Sequence, residues 1–162
     1  MAADTASYVE IMQKSLIRKD EVLQQIIELN REQKNALENP DLAPDDFDEL
    51  VEKKGELIDQ LDKLDSGFEK LFERMKEELE GKRELYAGQI RKMQESIRSI
   101  TDKSVEVQAQ EARNKDLMMQ KFASVRKQAK TMRTNTQVAD KYYQNMTKVN
   151  LVDPQFMDTK SK

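Results

Sequence analysis

The chain contains no cysteine and no histidine. The first absence removes disulfide frameworks and thiolate metal sites. The second removes the commonest general base and the commonest metal ligand. Tryptophan is also missing, and only four glycines and three prolines interrupt the 162 residues. No apolar run approaches the roughly 18 residues that a bilayer-spanning helix needs, so no membrane insertion is expected. The first ten residues, MAADTASYVE, lack the basic and apolar regions of a signal peptide. Both absences point to the cytoplasm. There is no glycine-rich phosphate loop, no EF-hand loop and no nucleophile elbow. The expectation is a protein without catalytic residues, metal ligands or cofactor.

What is there is helix-forming. Glu, Lys, Gln, Leu and Arg dominate, and these unbranched side chains lose little rotamer freedom in a helix. The length suits one domain. Helix 1 is expected over about 7–38. Ser7 and Glu10 have the spacing of a capping box, followed by an apolar stripe of Val9, Met12, Leu16, Leu23, Ile26 and Leu37. The same register passes through Lys19, Asn30 and Gln33, and polar groups in a seam weaken packing but fix register. Pro40 and Pro44 mark a turn, after which Asp45 or Asp46 is expected to cap the next helix. Helix 2, about 46–80, carries the strongest pattern: Phe47, Leu50, Leu57, Leu61, Leu64, Phe68, Leu71 and Met75. That stripe reads as core packing.

Gly81 is either a turn or one costly residue, about 1 kcal/mol against Ala, inside an unbroken helix. The turn is favoured because it lets helix 2 bury its stripe within one chain. The continuous helix would need a second chain, giving a homodimer. Helix 3 is expected over about 84–136. Tyr86, Ile90, Met93, Ile97, Ile100 and Val107 share a face that Ser104, Glu111 and Asn114 dilute. Helix 2 is roughly 50 Å long at 1.5 Å per residue. An antiparallel helix 3 starting at Leu85 matches that length by about Leu117. Residues 118–136 are then expected to overhang by roughly 28 Å, with Met118, Phe122, Val125 and Met132 unpartnered, and apolar stripes of that kind mark interaction sites.

The last residues, 137–162, place Val138, Tyr142, Tyr143, Met146 and Val149 at approximately helical spacing, but Asn145, Asn150 and Pro154 oppose one long helix. They are expected to form a flexible tail that orders on a partner. Five of the nine methionines lie beyond Leu117, where they serve either as gap fillers or as an adaptable binding surface. The fold class is thus all-α: an elongated antiparallel three-helix bundle or coiled coil, residues 1–136, with a long third helix and a partner-binding tail, residues 137–162.

Charge is unevenly spread. Residues 1–111 hold 17 basic and 27 acidic side chains, a net of −10, while residues 112–162 hold 11 and 4, a net of +7. Either the helix faces are solvated surfaces of differing sign, or the C-terminal segment meets an acidic partner or the acidic body of its own chain. Nucleic acid is not expected, since Phe122, Tyr142, Tyr143 and Phe156 are too sparse for a stacking platform. Asp59, Asp62 and Asp65 recur every third residue and read as a solvated face rather than a metal site.

A set of local sequences adds to this. They are Ile27-Glu28-Leu29-Asn30 with Gln33-Lys34, Glu52-Lys53-Lys54-Gly55-Glu56-Leu57-Ile58, Leu64-Asp65-Ser66-Gly67-Phe68-Glu69, Gln108-Ala109-Gln110-Glu111-Ala112-Arg113-Asn114-Lys115, and a terminal Phe156-Met157-Asp158-Thr159-Lys160. In this order the chain resembles the FlgN-type flagellar export chaperones, in the diverged form of Gram-positive bacteria. The resemblance implies a cytoplasmic chaperone for hook-filament junction (hook-associated) proteins, which keeps them unassembled and delivers them to the flagellar type III export apparatus. It places client contacts on the C-terminal part of helix 3 and the segment after it, where this chain has Met118, Phe122, Val125, Met132, Val138, Tyr142, Tyr143, Met146, Phe156 and Met157. The alternatives are a FliT-like chaperone for the filament cap protein and a structural coiled-coil dimer.

Overall fold

The computed structural model describes residues 2–121, with side chains from Thr5 onward. Three helices account for nearly all of them: α1, Ala2–Glu38; α2, Pro44–Gly81; and α3, Ala87–Lys121. There is no strand among the described residues. Contacts fix the directions. Thr5 meets Glu78, Lys19 meets Asp65 and Asn30 meets Lys54, so α1 and α2 run antiparallel. Asp20 meets Ser99 and Lys103, and Asn30 meets Gln110, so α1 and α3 run parallel. The result is an up-down-up bundle.

The helix ends differ from expectation in instructive ways. α1 begins at Ala2, so Ser7 is an exposed residue within the helix and not its cap. The extra turn is held by tertiary contact: the Thr5 hydroxyl donates to Glu78 Oε2 at 2.6 Å, near the far end of α2. The link between α1 and α2 closes on an Asx turn, in which the Asp41 N–H donates to Asn39 Oδ1 at 2.9 Å. α2 is capped by neither Asp45 nor Asp46. Ala43, extended at φ −81 and ψ 129, occupies the N-cap position without a side-chain bond. Pro44 opens the helix, where its fixed φ suits the first turn and its missing N–H removes a donor that would be orphaned anyway. The two aspartates sit in that first turn and favour the positive end of the helix dipole.

The chain does turn after Gly81. Lys82 ends α2, its N–H donating to the Glu78 carbonyl at 3.0 Å, and Tyr86 is folded inward, 4 % exposed, where α3 starts. Gly81 keeps a negative φ, so the reversal does not use the left-handed conformation that glycine permits. α3 starts at Ala87, later than the expected 84, and α2 starts at Pro44, earlier than the expected 46.

The core divides in two. The main apolar cluster joins Val9, Met12, Leu23 and Ile26 of α1 to Leu61 and Met75 of α2 and to Met93, Ile100 and Val107 of α3. A small cluster of Leu37, Phe47 and Met118 closes the far end. Between them lies a buried polar layer. Lys54 Nζ donates to Glu111 Oε1 at 2.5 Å, Gln33 Oε1 at 2.9 Å and Asn30 Oδ1 at 3.2 Å. Gln110 bridges the Asn30 amide and the Ile27 carbonyl, and Asn114 donates to the Asn30 carbonyl at 2.9 Å. A second polar contact crosses the main core, where Lys19 pairs with Asp65 at 2.5 Å. Burial pushes the Lys19 ammonium below its ordinary pKa, and the Asp65 carboxylate offsets part of that shift.

Candidate partner-binding site

At the end of the bundle beside the α1–α2 turn, the last described residues of α3 meet α1 and α2. Leu37 and Phe47 form an apolar floor, and Met118 of α3 packs into it at 6 % exposure. One turn further on, the Lys121 ammonium donates to the Leu37 carbonyl at 3.3 Å and to the Asn39 carbonyl. That cation meets the negative end of the α1 dipole and helps satisfy its last carbonyls. The third helix is therefore covered through Met118 and tied down at Lys121.

The described part of α3 therefore shows no overhang at residue 118. Met118 is core and does not overhang. The later start of α3 and the earlier start of α2 both carry the end of the paired region further along the sequence. Met119 is the first large apolar side chain of that stretch to face solvent, at 39 % exposure. Phe122, Val125, Met132, Val138, Tyr142, Tyr143, Met146, Phe156 and Met157 all lie outside the described residues, as does the expected 137–162 tail.

Two open grooves run along α1 near this end. The groove between α1 and α3, about 430 Å³, is bordered by Arg31, Lys34 and Arg113, with Glu106 reaching Arg31 at 3.7 Å. The groove between α1 and α2, about 320 Å³, has Leu29 and Leu57 on its floor and Glu28, Glu32 and Glu56 on its rim, with Lys53 beside them. Lys53 is engaged by Glu49 at 3.5 Å, and the Gln24 amide donates to Glu28 at 3.3 Å. Leu29 and Leu57 are half-buried, whereas all three rim glutamates are exposed.

Neither groove encloses a substrate-sized space with converging nucleophile and base. Among the described residues no three carboxylates converge in a way that would hold a metal ion. Of the three spaced aspartates, Asp59 and Asp62 are exposed, but Asp65 is half-buried and serves the Lys19 ion pair. None of the described helices is long and apolar enough to cross a membrane.

The polar layer contains the residue that sequence reasoning overlooked. Asn30, Gln33, Glu111 and Asn114 are visible as polar breaks in two separate stripes, but the sequence does not say that they meet. Lys54 occupies a stripe position of α2, between Leu50 and Leu57, and that interruption is the available signal. Lys121 gives no local signal, since its carbonyl partners lie more than 80 residues away in sequence.

The model of the FlgN protein family matches residues 1–148 of this chain. The matched region contains all three helices, the polar layer and the stripe up to Met146, and it stops short of Phe156 and Met157. Comparisons with curated proteins and with solved structures returned no match. The match runs over most of the length and through all three helices, and on it the chain belongs to the FlgN family of flagellar export chaperones.

Proposed function

We propose that this protein is a cytoplasmic chaperone that binds hook-filament junction proteins, holds them unassembled and hands them to the flagellar type III export apparatus, by binding alone and without a cofactor. The family match carries the reading. The fold supports a location for the client. α1 ends and α2 begins beside Met118 and Lys121. The sequence there continues with Phe122, Val125 and Met132 at helical spacing, flanked by Arg126, Lys127, Lys130 and Arg133. An amphipathic helix from the client would lay its own apolar face on this stripe, as helix-in-groove recognition does. Val138, Tyr142, Tyr143, Met146, Phe156 and Met157 would extend the contact.

The test is calorimetry with a hook-filament junction protein as titrant. The Phe122→Ala, Val125→Ala, Met132→Ala triple variant should bind more weakly than the full natural chain. Equal affinity would remove the client from this stripe. A filament cap protein titrated in parallel should bind more weakly than the junction protein. The reverse order would favour the filament-cap alternative.

A further inference from the structure

The groove between α1 and α2 has the chemistry of a docking site for a basic amphipathic segment. Its floor is apolar, Leu29 and Leu57, and its rim carries Glu28, Glu32 and Glu56. Glu32 and Glu56 have no ion-pair partner among the described residues, and Lys53, the nearby cation, already faces Glu49. A carboxylate rim around exposed apolar surface selects for positive charge beside apolar side chains. We infer that the occupant is the chain's own C-terminal segment, residues 122–162, folded back onto this groove.

Three observations favour that occupant. The first is charge. Residues 122–162 hold eight basic and three acidic side chains, whereas residues 1–121 hold 20 and 28. A second copy would bring its own acidic body, of net −8, against an acidic rim, and like charges in register cost affinity. The second is position. Lys121 is anchored on the Leu37 and Asn39 carbonyls, at the end of the bundle nearer the groove. Leu29 lies eight residues back along α1 from Leu37, about 12 Å at the helical rise, and 41 residues follow Lys121. The third is pattern. Val138, Tyr142 and Met146, spaced four apart, supply one apolar stripe to meet Leu29 and Leu57. The attachment makes the encounter intramolecular, with an effective concentration on the order of millimolar, so a weak contact is enough to be populated.

The inference concerns the chain alone, needs no client and does not rest on the client reading. Its test uses the absence of native cysteine. Asn135→Cys and Asn145→Cys, made separately in the full chain, each accept one nitroxide label, and amide peak intensities are compared with the label oxidised and reduced. The Leu29 and Leu57 amides should lose intensity while Ala112, exposed at a similar height on α3, keeps it. The Glu28→Gln, Glu32→Gln, Glu56→Gln variant, or high salt, should restore the lost intensity. Uniform loss, no loss, or loss that the glutamine variant does not relieve would overturn the assignment. So would loss in a mixture of labelled chains with unlabelled, isotope-enriched chains, because that places a second molecule in the groove.

Discussion

Lys54 of α2 and Glu111 of α3 form a 2.5 Å ion pair in the middle of the bundle, with the Lys54 side chain 9 % exposed and Glu111 fully buried. The pair is incompletely satisfied. Lys54 spends its three protons on Glu111, Asn30 and Gln33, yet Glu111 Oε2 and Asn114 Oδ1 are buried without a hydrogen-bond partner among the described residues. Each such oxygen costs about 1–3 kcal/mol of unrecovered desolvation. The layer therefore fixes register more convincingly than it adds stability, because here all three helices must meet polar group to polar group.

The energetic consequence is a pair of unequal losses. Lys54→Ala leaves the Glu111 carboxylate buried without its cation and should destabilise by roughly 3–5 kcal/mol. The Lys54→Met, Glu111→Leu double variant removes both charges and one orphaned oxygen but takes the donor from Asn30 Oδ1 and Gln33 Oε1, so it should be less destabilised than Lys54→Ala and still below the natural chain. Urea unfolding followed by circular dichroism measures both. If the double variant is as unstable as Lys54→Ala, the layer is a net source of stability. If the double variant is stable but changes its oligomeric state, register is the property the layer protects.

The apolar stripe of α2 separates into buried and half-buried parts. Leu61 is wholly buried, whereas Phe68 is half-buried and stacks on Phe72, ring centroids 6.2 Å apart and nearly parallel. Leu61→Ala should cost roughly 2–5 kcal/mol, the range for a large side chain leaving a sealed core. Phe68→Ala should cost less, because Phe68 gives up less transfer free energy and solvent can fill part of the space it leaves. Thermal melts of the two variants under one buffer decide the order.

The helices are legible from residue spacing because each buries one face, and a periodicity near 3.6 is a local property of the sequence. The turn at Gly81 follows from the need to cover the α2 stripe within one chain. Helix ends are less legible. Ser7 and Glu10 have capping-box spacing, but the contact that decides the end of α1 is Thr5 with Glu78, 73 residues apart. Asp45 and Asp46 have the chemistry of caps, but Pro44 biases Ala43 to the extended conformation and takes the first helical position itself. The displacements of two helix ends then add, which is why helix lengths alone put Met118 in an overhang although it lies in the core. Periodicity likewise makes Phe68 look sealed, because it shows which face is apolar and not how far a neighbour covers it.

The Thr5–Glu78 bond also sets a pH dependence. The Thr5 hydroxyl donates to the Glu78 carboxylate and is the largest influence holding its pKa below the ordinary 4.5. Desolvation opposes the shift, and Lys82 adds to it through a hydrogen bond and its charge. A carboxylate whose folded pKa is depressed contributes stability above its unfolded pKa, and that contribution is lost as the pH falls through the folded value. Thr5→Val keeps the shape and removes the donor. Carboxyl resonances followed by pH titration should show Glu78 moving up toward 4.5, and the acid side of the stability curve should become shallower. An unchanged Glu78 titration would mean that the Thr5 hydroxyl does not hold the pKa down.

Lys121 ties α3 to the end of α1, and the proposed client stripe follows it in the sequence. The Lys121 ammonium reaches the Leu37 and Asn39 carbonyls and seals the open end of α1. A chain ending at Lys121 should therefore keep its helical circular dichroism signal, and its melting temperature should stay near that of the full protein. Ending instead at Leu117 should lower it, because Met118 would leave the Leu37 and Phe47 cluster and Lys121 would leave two carbonyls. The chain ending at Lys121 should nevertheless lose the hook-filament junction client. With the full chain, binding should show a negative heat-capacity change as Phe122, Val125 and Met132 leave water. If the shortened chain binds as tightly, and with the same heat-capacity change, the client sits on the grooves of the bundle, and residues 122–162 have some other purpose.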